Sequence, residues 1–131
     1  MYHRKPKVGD HTNFNDHKIE SCMHVGTHMD APLHMAEHGA VISDFPINKF
    51  QGQGVLIDAR GRMDIDSDLL QGIEIKAGNI ILIWTGWDKK YRTDTYFQDW
   101  PIIAPTLAED LVDLGISMIG MDTPGPDMDE S

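Results

Sequence analysis

Four side chains that can bind a metal ion or transfer a proton lie within eleven residues of this 131-residue chain: His24, His28, Asp30 and His34. All seven histidines of the chain occur at or before position 38, and the rest of the sequence contains none. Imidazole is a common ligand of transition metals, and its proton exchange falls close to neutral pH. The sequence therefore places the candidate chemistry in the N-terminal third of the chain.

His24 and His28 are four residues apart, but the residues around them disfavour a helix. Gly26 lies between the two histidines and Pro32 follows them, so a helical pair of ligands is poorly supported. We predict an extended segment from Asn15 to Asp30 instead, in which the even-numbered residues share one face. On a straight strand the two histidine Cα atoms would be about 13 Å apart, so a shared ion requires a bend, which is expected at Gly26.

Two neutral imidazoles and a carboxylate, from His24, His28 and Asp30, form a ligand set suited to Zn²⁺ and also to Mn²⁺ or Fe²⁺. Three protein ligands leave room for water, and a catalytic zinc ion lowers the pKa of its bound water to about 7, which favours hydrolysis. His34 follows Pro32, where the chain has turned, and its predicted role is that of a general acid or base.

The spacing H-x-x-x-H-x-D is a weak motif when it stands alone. Each of these histidines could equally be a surface or hydrogen-bonded residue, so that interpretation stays open beside metal binding. His17 and His38 are interpreted as such residues, with His38 a further candidate for lining a pocket.

The elements that must position these residues are short strands and helices. Short apolar runs rich in β-branched residues predict buried strands at Gly54–Asp58, Ile80–Trp84 and Ile116–Met121, and residues 66–71 are predicted to form one or two helical turns. Strands that alternate with loops and short helices predict an α/β domain whose strand order the sequence does not reveal.

The clearest predicted helix runs from Thr106 to Leu114. Thr106 and Glu109 have the spacing of a capping box, and Gly115 supplies the stop. The predicted buried face of this helix consists of Leu107, Leu111 and Leu114.

Composition limits the partners and the compartment. Lys and Arg number 11 against 21 Asp and Glu, and the resulting formal charge of -10 argues against nucleic-acid binding. The lone Cys22 excludes an intramolecular disulfide and fits a reducing compartment, so we predict a cytoplasmic protein without membrane insertion. The acidic residues spread along the chain apart from a cluster of Asp122, Asp127, Asp129 and Glu130, and most of them are interpreted as a solvated surface.

The eleven residues from His24 to His34 resemble the H-x-G-T-H-x-D-A-P-x-H signature of the cyclase family, which includes bacterial kynurenine formamidase and has isatin hydrolases as relatives. The resemblance extends through most of the chain from about Cys22 onward. Its further segments are Gly39, Phe45-Pro46, the strand from Val55 to Asp58, the run from Ile80 to Trp87, and Ile119 to Pro124.

This resemblance implies a swivelling β/β/α domain, usually part of a homo-oligomer, that hydrolyses amide bonds of small molecules such as N-formyl-kynurenine. It implies one or two divalent metals, Zn²⁺ or Mn²⁺, bound by His24, His28 and Asp30, with Asp30 able to bridge two ions. His34 matches the proton donor and acceptor of the family. Family members continue past the D-T-P segment to further metal ligands, so residues 1–131 are expected to be a single domain without that C-terminal portion.

Three functions follow as hypotheses. The first is a metal-dependent amidohydrolase of the arylformamidase type, acting in tryptophan catabolism. The second is hydrolysis of a cyclic amide such as isatin by the same chemistry. The third is a truncated domain that binds metal or assembles into oligomers without turnover.

Overall fold

The computed structural model describes residues 2–3 and 17–128. The chain divides into two compact units, Met1–Asp44 and Phe45–Ser131. The expectation of a single domain over residues 1–131 stays a prediction.

The described residues of the first unit form two short strands and two 3₁₀ helices. Strand β1, Tyr2–His3, pairs antiparallel with β2, His17–Lys18. Two 3₁₀ helices follow, Pro32–His34 and Ile42–Asp44. Among residues 18–44 no side chain is buried, and turns and local hydrogen bonds hold this described stretch.

The second unit is built on parallel strands. Its elements are β3 Gly54–Asp58, β4 Asp64–Ile65, β5 Ile80–Trp84, β6 Ile102–Ile103, helix α1 Pro105–Asp113, β7 Met118–Met121, and 3₁₀ helices at Ile47–Phe50, Ser67–Leu70 and Trp87–Lys90. Strands β3, β5 and β7 form a parallel sheet in that order, and β4 pairs in parallel with β6. The predictions for β3 and β5 match at both ends, whereas β7 is shorter than the predicted run.

The core of the second unit lies where the sheet meets α1. Ile57, Ile81 and Ile83 are at most 2% exposed and belong to one buried cluster with residues of α1. Their neighbours on the opposite face are open, with Leu56 62% and Leu82 45% exposed. The sequence predicts buried strands, and the structure corrects this to strands buried on one face, because side chains alternate between the two faces of a sheet.

Helix α1 is confirmed, but its predicted start is wrong. Ala104 is the N-cap without a side-chain cap bond, and the Thr106 hydroxyl instead donates to Asp66 Oδ1 at 2.6 Å. This contact across 40 residues replaces the predicted capping box. Gly115, at φ +66°, ends the helix as expected. No helix in the described ranges has the length and apolar content needed to cross a bilayer.

Asp122 ties the carboxyl end of β7 to that of β5. Its Oδ1 accepts from the Thr85 backbone N–H at 2.8 Å and from the Thr85 hydroxyl at 2.7 Å, and its Oδ2 accepts from the Asp88 N–H at 3.4 Å. Thr85 is buried and Asp122 is half-buried. Asp122 is therefore an exception to the solvated surface predicted for most acidic residues, because three donors from the β5 end surround its carboxylate.

Thr85→Val is expected to lower the free energy of unfolding at neutral pH by about 1–2 kcal/mol, since it removes a hydroxyl that hydrogen-bonds a carboxylate. Burial raises the pKa of Asp122, but its hydrogen bonds to Thr85 and Asp88 outweigh burial and hold that pKa below its ordinary value of 3.8. The ionised carboxylate therefore stabilises the fold above that pH, and this contribution is lost as the pH falls through the lowered pKa.

Urea unfolding of both proteins at neutral and acidic pH measures this difference. The difference in unfolding free energy between wild type and Thr85→Val should become smaller at acidic pH. Thr95→Val, at an exposed position, is the control and should change stability by less than about 0.5 kcal/mol. A difference in unfolding free energy that stays constant with pH would contradict the hydrogen bond between the Thr85 hydroxyl and an ionised Asp122 carboxylate.

Candidate metal centre

The loop after β2 brings the predicted ligands together by folding back on itself. The Val25 backbone N–H donates to the Met23 carbonyl at 3.1 Å, and Gly26 adopts a left-handed conformation with φ +68°. The predicted bend at Gly26 is confirmed. The predicted extended segment is wrong for residues 19–30, because this turn interrupts the strand; Asn15 and Asp16 lie outside the described residues.

The donor atoms of His24, His28 and Asp30 converge on one point. His24 Nδ1 lies 3.1 Å from both His28 Nε2 and Asp30 Oδ1, and His28 Nε2 lies 3.5 Å from Asp30 Oδ2. Within the described part of the chain, these three residues are the group of His, Cys, Asp or Glu side chains whose spacing could hold a metal ion.

The residues fit a divalent ion in both chemistry and size. Ligand atoms about 2.0–2.1 Å from a tetrahedral ion lie about 3.3 Å from one another, which is close to the observed separations. Two imidazole nitrogens and one carboxylate oxygen are borderline ligands suited to such an ion. The side chains are between 32% and 45% exposed, so an ion held there would also be open to water.

His28 has its second ring nitrogen occupied by the backbone. His28 Nδ1 lies 2.7 Å from the Gly26 carbonyl oxygen, an acceptor, so Nδ1 carries the proton in this hydrogen bond. This partner was not predicted from the sequence, because a backbone carbonyl leaves no residue-type signal.

His34 lies beside the cluster and comes from a later segment of the loop. Its imidazole ring stacks beside that of His24, with centroids 4.1 Å apart and the ring planes tilted by 34°. The backbone of Gly39 packs closely against the 3₁₀ helix Pro32–His34, where a Cβ would clash with the Leu33 nitrogen and the Pro32 carbonyl carbon. His34 therefore lies beside the three donors without being one of them.

Comparison of the chain with known proteins shows its family. The family model Cyclase, described as "Putative cyclase", matches residues 2–128. The chain belongs to the cyclase family. The predicted family and the predicted α/β fold class are both confirmed.

Two curated relatives of this cyclase-family chain are kynurenine formamidases. The protein from Geobacillus thermodenitrificans (strain NG80-2) is 33% identical over 111 residues, covering 84% of this chain and 52% of the relative. The protein from Erythrobacter litoralis (strain HTCC2594) is 30% identical over 130 residues, covering 99% of this chain and 59% of the relative. The chain thus spans somewhat more than half the length of the curated relatives that it matches.

Two solved structures share the fold. One, described as "The Structure Of Potential Metal-Dependent Hydrolase With Cyclase Activity", is 30% identical with a TM-score of 0.74, and the match covers 84% of this chain and 54% of that one. Isatin hydrolase A from Labrenzia aggregata, bound to benzyl benzoate, is 23% identical with a TM-score of 0.75, covering 88% and 54% respectively. At that identity the isatin hydrolase shows the fold alone.

The remaining predicted residues lie apart from the cluster. His38 is exposed and is not one of the three grouped donors, which agrees with its interpretation as a surface residue. Asp127 is exposed, as predicted for a solvated acid, and Asp129 and Glu130 lie outside the described residues.

Proposed function

We propose that this cyclase-family chain carries the site of a metal-dependent amidohydrolase of the arylformamidase type. The observation that carries the proposal is the convergence of His24, His28 and Asp30, whose donor atoms lie 3.1–3.5 Å apart. The kynurenine formamidase relatives support N-formyl-kynurenine as the substrate. The isatin hydrolase shares only the fold, so it favours no cyclic amide over this substrate.

Zn²⁺ is the proposed ion, with Mn²⁺ as the alternative, because two imidazoles and one carboxylate suit both. His24 would bind through Nδ1, His28 through Nε2, and Asp30 through its carboxylate. When bound, such an ion polarises a carbonyl and makes water a stronger nucleophile at neutral pH.

His34 is the proposed general base and acid. In formamide hydrolysis, water adds to the formyl carbon, the C–N bond breaks, and formate and the free aryl amine leave. His34 would accept a proton from the attacking water and return it to the leaving nitrogen. Its ring lies against His24, so it borders the donor cluster without using a donor position.

Besides acting as a ligand, Asp30 would balance part of the charge of the bound ion. Its Oδ1 lies 3.1 Å from His24 Nδ1 and its Oδ2 lies 3.5 Å from His28 Nε2, so one carboxylate spans both imidazoles. Its negative charge offsets part of the charge of a divalent ion, which two neutral imidazoles cannot do. Asp30 is therefore expected to be the ligand that matters most for the charge of the loaded site.

The test is turnover by the purified 131-residue chain loaded with one equivalent of Zn²⁺. N-formyl-kynurenine should be hydrolysed to formate and kynurenine, which absorbance follows, and a chelator should abolish turnover until Zn²⁺ is restored. Isatin is the comparison substrate. A zinc-loaded chain that hydrolyses neither compound would overturn the catalytic proposal, and a preference for isatin would overturn the proposed substrate.

A further inference from the structure

We propose that Gly26 is a positioning residue, whose backbone carbonyl holds His28 in the ring tautomer that leaves Nε2 unprotonated and able to bind metal. The inference rests on the proposed metal site and adds a residue that contributes no ligand atom. It concerns the loop of the metal-free protein, so it can be tested separately from turnover.

The geometry around Gly26 is specific to a left-handed residue. Its φ of +68° lies in the region that glycine adopts without steric cost and that β-branched residues avoid. In this conformation its carbonyl oxygen lies 2.7 Å from His28 Nδ1, two residues further along the chain. A change of φ at Gly26 would therefore redirect the acceptor away from the imidazole.

The hydrogen bond decides which nitrogen of His28 can act as a ligand. A neutral imidazole carries one proton, and a carbonyl oxygen can only accept, so the proton belongs on Nδ1. Nε2 then keeps its lone pair, and this atom lies 3.1 Å from His24 Nδ1 and 3.5 Å from an Asp30 oxygen. In the other tautomer a proton on Nε2 would occupy the direction in which the donors converge.

Metal-binding histidines in general donate the second ring N–H to a carbonyl or carboxylate, which fixes both the tautomer and the ring orientation. Here the acceptor is supplied within the same turn that brings His24 towards His28. One glycine thus supports the bend and the tautomer together.

The first measurement is the tautomer of His28 in the metal-free protein. Long-range ¹H–¹⁵N correlation spectra of the ¹⁵N-histidine-labelled chain, recorded where imidazoles are neutral, separate protonated from unprotonated ring nitrogens, and His28→Gln identifies the His28 signals. We expect His28 to be protonated at Nδ1. Protonation at Nε2 would overturn the inference whatever the metal affinity proves to be.

The second measurement is Zn²⁺ affinity, determined by titration of folded variants with Zn²⁺ alone. Gly26→Val should weaken zinc binding by about 10- to 100-fold, the usual cost of losing the hydrogen-bond partner of a ligand. Gly26→Asn should retain most of the affinity, because asparagine enters the left-handed region far more readily than valine. No atom lies within 4 Å of a Cβ added at Gly26, so this comparison reports on backbone conformation rather than on a clash.

Gly61→Val is the matched control. Gly61 has φ +82°, and a Cβ added there would also meet no atom within 4 Å, but this residue lies in the second unit, between β3 and β4. The substitution should reproduce the strain of the valine while leaving zinc affinity unchanged, with folding of each variant checked by circular dichroism.

Equal zinc affinity in Gly26→Val and wild type would overturn the inference, as would an equal loss in Gly61→Val. If the wild-type chain binds no Zn²⁺, the proposed metal site fails, and the tautomer spectrum still decides whether Gly26 orients His28.

Discussion

His28→Ala is expected to abolish stoichiometric zinc binding and, with it, hydrolysis of N-formyl-kynurenine. The substitution removes Nε2, which lies 3.1 Å from His24 Nδ1 and 3.5 Å from Asp30 Oδ2, and leaves two candidate protein ligands. It also removes the ring that hydrogen-bonds to the Gly26 carbonyl. Because the side chain is about one-third exposed and outside any core, the fold should survive and the loss should appear in metal binding.

Titration calorimetry with Zn²⁺ and turnover assays measure both effects in the same preparation. Cys22→Ser is the control, because Cys22 is an exposed thiol close in sequence that does not belong to the donor cluster. It should bind zinc like the wild type. Undiminished zinc binding by His28→Ala would refute the proposed ligand set, whereas zinc loss in Cys22→Ser would point to a thiolate ligand instead.

His34→Ala is expected to separate catalysis from metal binding. Turnover should fall by about 10²- to 10⁴-fold, the usual contribution of a positioned general acid or base. Zinc stoichiometry should stay unchanged, because His34 stacks on His24 at 4.1 Å between ring centroids and supplies no donor atom to the cluster.

His38→Ala is the matched control for His34→Ala, since it removes another exposed histidine from the same unit. Its turnover should remain close to that of the wild type. Comparable losses in both variants would indicate a general effect on the loop, and a His34→Ala chain that has lost its zinc would make His34 a ligand or a support of the metal site. His34→Gln, which keeps a polar side chain of similar reach, should be as slow as His34→Ala if proton transfer is the role.

Local patterns predicted much of the second unit. Strands β3 and β5 match their predicted bounds because Gly and polar residues delimit short runs of β-branched residues. The end of α1 was predictable from Gly115, whose φ of +66° few other residues adopt. The start of α1 was not predictable, because the hydroxyl of Thr106 donates to Asp66, which lies 40 residues away in the chain, rather than capping the helix.

Asp122 likewise has a partner far along the chain that the local sequence does not reveal. In the sequence it stands near other acids and resembles a solvated surface, yet the parallel pairing of β5 with β7 places it beside Thr85, 37 residues away. Strand order decides such a contact, and strand order depends on the free energy of the whole packed sheet rather than on any local run of residues.

For the candidate centre, the types of the candidate ligands, the need for a bend at Gly26 and the resemblance to the cyclase family were predictable from the sequence alone. It could not determine that the donor atoms of His24, His28 and Asp30 meet at 3.1–3.5 Å, nor that His34 stacks on His24. The hydrogen bond from His28 to the Gly26 carbonyl depends on the conformation of the folded loop. Every residue carries a carbonyl, so only the backbone angles of the folded chain decide which carbonyl a side chain meets.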